Sequence, residues 1–184
     1  VTWVVEDTSG NISQATQVVT IIDTTAPEVF APSDIVVEAV SLFNNGVELG
    51  EAAAYDIMSI ISITNDAPEF FTLGETTVTW TATDSSGNSS DATQIVTIVD
   101  TTAPDIVAIE DVSIAAFSLE NPVDIGTALV IDLVDSIPTI TNNAPETFPL
   151  GDTVVTWNIS DEFGNSASYE QVVSVQPCGE SLSY

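Results

Sequence analysis

Apolar and polar positions alternate with a period of two along much of this chain. From Thr76 to Asp84, Val78, Trp80 and Ala82 share one face while threonines hold the other. That is the pattern of a half-buried strand, whose successive side chains point to opposite sides of a sheet. Asp84-Ser85-Ser86-Gly87-Asn88 follows as a turn, and Gly87 supplies the positive φ that other residues resist. The next strand, Ala92 to Val99, is predicted to bury Val96 and Ile98, with Thr97 on the opposite face. Asp34 to Ala39, Val47 to Tyr55 and Ile60 to Thr64 are short, apolar and bounded by turn residues, and they also read as strands. No segment spaces its apolar positions as a helix does.

The pattern recurs. Trp3, Trp80 and Trp157 are separated by 77 and 77 residues. The same step carries Asp7, Gly10 and Asn11 onto Asp84, Gly87 and Asn88, and then onto Asp161, Gly164 and Asn165. Asp23-Thr24-Thr25-Ala26-Pro27 returns as Asp100-Thr101-Thr102-Ala103-Pro104. One slip occurs, since Gly50 maps to Gly126 and Asp56 to Asp132 at a spacing of 76. The chain is therefore predicted to hold the last strands of a partial repeat at 1–23, complete repeats at 24–100 and 101–176, and a tail at 177–184. About seven short strands per repeat, with turn signals about every 8–12 residues, predict an all-β chain. The expected architecture is tandem immunoglobulin-like antiparallel β-sandwiches in a linear array, with each Trp in a core.

Residues 64–104, TNDAPEFFTLGETTVTWTATDSSGNSSDATQIVTIVDTTAP, carry a family resemblance. So do residues 123–165, VDIGTALVIDLVDSIPTITNNAPETFPLGDTVVTWNISDEFGN. Both resemble the HYR (hyalin repeat) module, and the likeness extends from Val1 to about Gln176. The resemblance implies an immunoglobulin-like sandwich used in tandem in secreted and cell-surface proteins and associated with adhesion. It brings no catalytic residues. The last repeat departs from the pattern, because Gln176-Pro177-Cys178-Gly179-Glu180 stands where Asp-Thr-Thr-Ala-Pro is expected.

Composition narrows the function further. The 184 residues include 28 Asp plus Glu and no Lys, Arg or His, for a formal charge of −28. Such a chain has no means of gripping nucleic-acid phosphates or an anionic membrane surface. It has no Ser-His or Cys-His pair, no lysine Schiff base and no histidine metal site. With 44% hydrophobic residues it can nevertheless bury a core, so the acidity belongs to the surface of something folded. No apolar run of 18 or more residues is present. The chain opens on Val1 within strand-like sequence and without a signal-like segment, which reads as a mature or excised piece of a longer protein. An enzyme built on paired carboxylates is not expected, because the acids lie in turns and linkers and the Trp residues point inward.

The placement of the acids matters more than their number. In an immunoglobulin-like sandwich, the entry to the first strand, the second-to-third loop and the sixth-to-seventh turn lie at one pole. In the middle repeat that pole is predicted to gather Asp23, Glu28, Asp56 and Asp84. In the last repeat it is predicted to gather Asp100, Asp105, Asp132, Asp135 and Asp161. A hard divalent ion with oxygen ligands, Ca²⁺ above all, would turn their repulsion into a rigid joint. The alternative is that each Asp caps its own turn through backbone N–H groups, and the two readings are compatible. No EF-hand loop occurs.

Asn11, Asn88 and Asn158 head Asn-x-Ser sequons and are candidate glycosylation sites. Cys178 is the single cysteine, so it forms no internal disulfide, and it reads as an unpaired thiol or a link to a second chain. The expected function is a structural or adhesive segment of an extracellular fibre, surface layer or adhesin stalk. Its partners would be neighbouring repeats, copies of the same protein, or surface glycans and proteins. Two alternatives stand beside it: a Ca²⁺-dependent glycan- or partner-binding module, and a filament subunit joined by donated β-strands from residues 1–22.

Overall fold

The structure, a computed structural model, describes residues 1–177, so the predicted roles of Cys178 lie outside the described residues. The first strands are β1 (Thr2–Glu6), β2 (Ile12–Thr16), β3 (Glu28–Phe30), β4 (Ile35–Glu38), β5 (Ala53–Tyr55), β6 (Ile60–Asn65), β7 (Gly74–Asp84) and β8 (Ser89–Val99). The last repeat supplies β9 (Asp105–Ala108), β10 (Val112–Ala115), β11 (Leu129–Ile131), β12 (Thr139–Asn142), β13 (Gly151–Ser160) and β14 (Ser166–Gln176). The described residues are all-β and immunoglobulin-like, with no helix long and apolar enough to cross a membrane. Each full repeat contributes a four-stranded sheet, in the orders β4-β8-β7-β6 and β10-β14-β13-β12, and a two-stranded ladder, β3-β5 or β11-β9.

The chain divides into two compact units. One comprises Val1–Ser33, Leu49–Ala67 and Thr77–Gln94, and the other Asp34–Glu48, Pro68–Thr76 and everything from Ile95 onward. The division passes through the middle repeat.

In the first unit, β1 and β2 form a hairpin running from Thr2↔Thr16 to Glu6↔Ile12. Against the expectation that each Trp lies in a core, its Trp3 is 63% exposed, whereas Trp80 at the equivalent position is 6% exposed. Trp80 Nε1 donates to Gln94 Oε1 at 3.2 Å, and Gln94 Nε2 donates to the carbonyls of Ser33 (2.7 Å) and Leu49 (3.1 Å). Gln94 is 0% exposed, and these three bonds allow a polar side chain to sit there. Phe30 and Tyr55 meet edge to face on the outer side of the β3–β5 ladder, with ring centroids 5.9 Å apart.

The second unit contains the last repeat entire. Phe148, Val155, Trp157, Val173 and Val175 form its core, ringed by Ile106, Val112, Ile114, Val123 and Ile125. Trp157 Nε1 donates to Gln171 Oε1 at 3.0 Å, and Gln171 Nε2 donates to the carbonyls of Glu110 (2.7 Å) and Ile125 (3.0 Å). The full brace is thus built twice, and its Trp–Gln bond recurs in the hairpin, where Trp3 Nε1 donates to Gln17 Oε1 at 3.1 Å.

Three expectations are corrected in detail. The sandwiches are not wholly antiparallel, because β4 pairs with β8 and β10 with β14 in parallel. Asp34 and Asp111 start these parallel pairs, each accepting the backbone N–H of Ile95 or Val172 at 2.8 Å. Period-two patterning sets which face is buried, but it says nothing about the direction of a strand's partner. The predicted strand from Val47 to Tyr55 shrinks to Ala53–Tyr55. Finally, each full repeat has six strands rather than about seven, together with an isolated bridge, Asn45↔Phe71 or Asn121↔Phe148. Buried Asn45 shapes that region: its Oδ1 accepts the N–H groups of Val40 and Ser41, and its Nδ2 donates to the carbonyls of Ser41 and Phe71.

Candidate metal site at the repeat junctions

The turn after β7 is closed by Asp84. Its Oδ1 accepts the N–H groups of Ser86 and Asn88, both at 2.8 Å, and its Oδ2 accepts Asn88 Nδ2 at 2.8 Å. Gly87 has φ +88, the left-handed conformation the turn requires. Asp161 makes the same set with Phe163 and Asn165, and Asp7 makes it with Ser9 and Asn11. The turn-capping role expected of these aspartates is therefore what the geometry displays. Burial acts to raise the carboxyls of Asp84 and Asp161, but the Asn amides and backbone N–H groups outweigh it and hold both below the usual range.

Asp84 is fully buried, and two further aspartates approach it. One oxygen each from Asp23, Asp56 and Asp84 lie within 4.8 Å of one another. Asp23 Oδ1 accepts the N–H of Thr25 at 3.0 Å, and Asp56 Oδ1 accepts that of Met58 at 3.1 Å. Their other oxygens differ sharply. Among the described residues, the buried side-chain atoms without a hydrogen-bond partner are Asp23 Oδ2, Asp56 Oδ2 and Asp100 Oδ2. Carboxylate oxygens are strong acceptors, and leaving one buried and unpaired is costly. A Ca²⁺ ion takes oxygen ligands at roughly 2.3–2.6 Å, so ligands on opposite sides of its shell lie about 4.8 Å apart. The trio is no wider than that and has that donor chemistry.

The repeat places Asp100, Asp132 and Asp161 at the equivalent positions. Burial raises the Asp100 carboxyl, opposed by the N–H of Thr102 and reinforced by the charges of Asp132, Asp161 and Glu38. Asp132 Oδ1 accepts the N–H groups of Val134 and Asp135, both at 2.7 Å. This second trio is looser, since among the described residues no other group of three meets the spacing of the first.

The remaining predicted ligands are engaged in other contacts. Glu28 is exposed on β3 opposite Tyr55. Asp105 accepts the Tyr169 hydroxyl, a bond that raises the pKa of that hydroxyl. Asp135 accepts the N–H groups of Ile137 (2.8 Å) and Glu162 (3.1 Å). Of the three sequons, Asn11 and Asn88 commit their side-chain amides to Asp7 and Asp84, while exposed Asn158 accepts Ser168 Oγ at 2.7 Å through Oδ1. Glycan attachment at the first two would remove a donor from the turn.

Sequence reasoning passed over Glu38. Its Oε1 accepts Thr101 N and Thr102 Oγ1, and its Oε2 accepts Thr101 Oγ1, all at 2.8 Å. The one available signal was the recurrence of two threonines directly after Asp23 and Asp100.

The opposing shifts predict an acid response. The stability contributed by Asp7, Asp84 and Asp161 is present above the ordinary carboxyl value of 3.8 and is lost as pH falls through their lowered values. Asp100 acts oppositely: its contribution is full below 3.8 and is lost as pH rises through its raised value. In EDTA, the melting midpoint is expected to hold as pH is lowered to about 4 and to fall only below it. Melting curves across that range check this, and a decline beginning near neutrality would contradict it.

Residues 22–98 match the family model described as "HYR domain". The chain is 34% identical over 194 aligned residues to hyalin of Strongylocentrotus purpuratus, covering 96% of this chain and 16% of that protein. It is 33% identical over 186 aligned residues to hyalin of Lytechinus variegatus, covering 91% of this chain and 34% of that protein. The chain therefore spans only a minor part of both relatives. Among solved structures, the four-immunoglobulin-domain fragment of Sidekick-1 overlaps 92% of the chain and 55% of its own length, at 15% identity and a TM-score of 0.43.

Proposed function

We propose, from the premise that residues 22–98 are a HYR domain, that this chain is a structural and adhesive segment of a repetitive extracellular protein. Its repeat junctions are stiffened by divalent cations, Ca²⁺ foremost, and it has no catalytic role. One observation carries the cation reading: Asp23, Asp56 and Asp84 converge at the head of a repeat, with buried, unpartnered oxygens on two of them. The likeness to hyalin along nearly the whole chain supports the extracellular setting. Without a single basic side chain, the protein has no internal countercharge for such a cluster. A fibre, surface layer or adhesin stalk would use the resulting stiffness, and its partners would be neighbouring repeats or further copies.

A second reading, Ca²⁺-dependent partner binding, draws on a groove beside the first trio. Ile21, Ile22, Ile57 and Met58 line it together with Asp23, so a cation there would adjoin an apolar surface. The β1–β2 hairpin, with Trp3 and Val5 exposed, supports strand donation between copies as a way to assemble the same material.

An antibody raised against the chain is expected to label intact, unpermeabilised cells that produce it. Labelling only after permeabilisation would overturn the extracellular reading.

A further inference from the structure

We infer that Asn45 and Gly46 form a self-modifying pair, in which Asn45 loses its side-chain amide when the segment around it opens. They are the single Asn-Gly dipeptide of the chain. Glycine leaves its backbone nitrogen uncrowded and its backbone free to turn, so an asparagine before it is unusually prone to ring closure. The Gly46 nitrogen attacks Asn45 Cγ and gives up its proton, the Cγ–Nδ2 bond breaks, and ammonia departs. Water then opens the succinimide at either carbonyl, leaving aspartate or its backbone-shifted isomer. No other reactant is needed.

Nothing in the fold calls for glycine at this place. Every other described glycine has a positive φ, whereas Gly46 does not. A Cβ added at Gly46 would meet nothing within 4 Å, so no close approach requires its small size. The last repeat has Pro122 there, directly after Asn121. Proline shows that the position needs neither glycine nor a backbone N–H. Asn121 itself is held as Asn45 is: its Oδ1 accepts the N–H groups of Phe117 and Ser118, and its Nδ2 donates to the carbonyls of Ser118 and Phe148. The Pro122 nitrogen has no proton to lose and cannot close the ring. The chain therefore carries a reactive copy of this site and an inert one.

The closed fold holds the reaction back. Asn45 is 1% exposed. Its Oδ1 is fixed by the N–H groups of Val40 (2.9 Å) and Ser41 (3.2 Å), and its Nδ2 by the carbonyls of Ser41 (2.8 Å) and Phe71 (2.9 Å). Its own backbone N–H and carbonyl pair with Phe71 at 3.1 and 2.9 Å. Ring closure must swing Cγ onto the Gly46 nitrogen, which breaks the side-chain bonds, so it waits on local opening. The product cannot rebuild the site. An aspartate oxygen in place of Nδ2 faces the same two carbonyls, acceptor against acceptors, and brings a charge into a buried position. Opening is thereby made permanent in the middle repeat.

The test incubates the full chain in mildly alkaline buffer, folded and in concentrated urea. Cleavage after Glu38 and Glu48 then releases residues 39–48 for fragmentation by mass spectrometry, and isoaspartyl methyltransferase labels the shifted isomer. In urea, Asn45 is expected to convert faster than any other asparagine of the chain. In the folded chain it should convert at least about tenfold more slowly, because only the opened population reacts. Gly46→Pro, which copies the last repeat, should abolish conversion in urea, a comparison that does not depend on the variant folding. Asn45→Asp, the product itself, is expected to melt about 10 °C or more below the parent. No preference for Asn45 in urea would overturn the site. Equal rates in the folded and unfolded chains would overturn its control by the fold, and an Asn45→Asp chain that melts with the parent would overturn its permanence.

Discussion

Trp157→Ala is expected to destabilise the last repeat by about 3–5 kcal/mol, the range found when a large buried aromatic is truncated. Trp157 is 4% exposed and packs with Phe148, Val155, Val173 and Val175. Its removal opens a cavity among side chains that relax only partly. It also strips Gln171 Oε1 of its donor while Gln171 Nε2 stays bound to Glu110 and Ile125, so a buried acceptor is left unpaired. A domain of this size is usually stable by only about 5–15 kcal/mol, so the loss is a large share of the total. Trp3→Ala supplies the control, because the same motif there is 63% exposed. That change is expected to stay within about 0.5 kcal/mol. Urea unfolding of the two variants checks both figures. Equal losses would mean that the hairpin core face is covered in solution.

Millimolar Ca²⁺ is expected to raise the melting midpoint by roughly 10 °C or more over that in EDTA at matched ionic strength. At a ligand concentration about 100 times the dissociation constant, binding to the folded state alone contributes about 2.7 kcal/mol. For a domain of about 60–100 residues, each kcal/mol moves the midpoint by about 4–8 °C. Asp23→Asn with Asp100→Asn is expected to abolish the gain, because these residues hold two of the three unpartnered buried oxygens. In EDTA, Asp100→Asn should itself raise the midpoint. Burial and the neighbouring charges of Asp132, Asp161 and Glu38 disfavour the ionised carboxylate, and the amide removes that charge. A substitution that stabilises the metal-free protein and cancels the response to Ca²⁺ has the signature of a ligand rather than of a fold residue. Identical melting in Ca²⁺ and EDTA would sink the cation joint and leave the acids as turn caps and surface charge.

Much of the fold was legible in the residues themselves. Val78, Trp80 and Ala82 alternate with threonines, and all three are buried in β7, because a strand exposes its faces with a period of two whatever surrounds it. The Asp84 turn was legible for the same local reason, since Asp, Gly and Asn at those positions satisfy the turn from within. The 77-residue step then transferred each reading to its copy. Gln94 was harder to see. It shares the inward face of β8 with Val96 and Ile98, but a buried amide makes sense only once Trp80, Ser33 and Leu49 surround it.

The candidate site divides along the same line. Asp23, Asp56 and Asp84 were all named from the expected pole of a sandwich, and so were Glu28, Asp105 and Asp135, which are not part of that trio. Glu38 escaped notice because it lies 62 residues before Asp100 and on a strand, not a turn. By itself the sequence determined the period, the strand faces, the capped turns and the absence of any basic group, because each depends on a residue and its near neighbours. Only the tertiary structure decided the parallel pairing of β4 with β8, the burial of Gln94 and Gln171, and which aspartates meet. Those depend on groups far apart in the chain, whose directions and distances are set when the two layers of a sandwich close over a shared core.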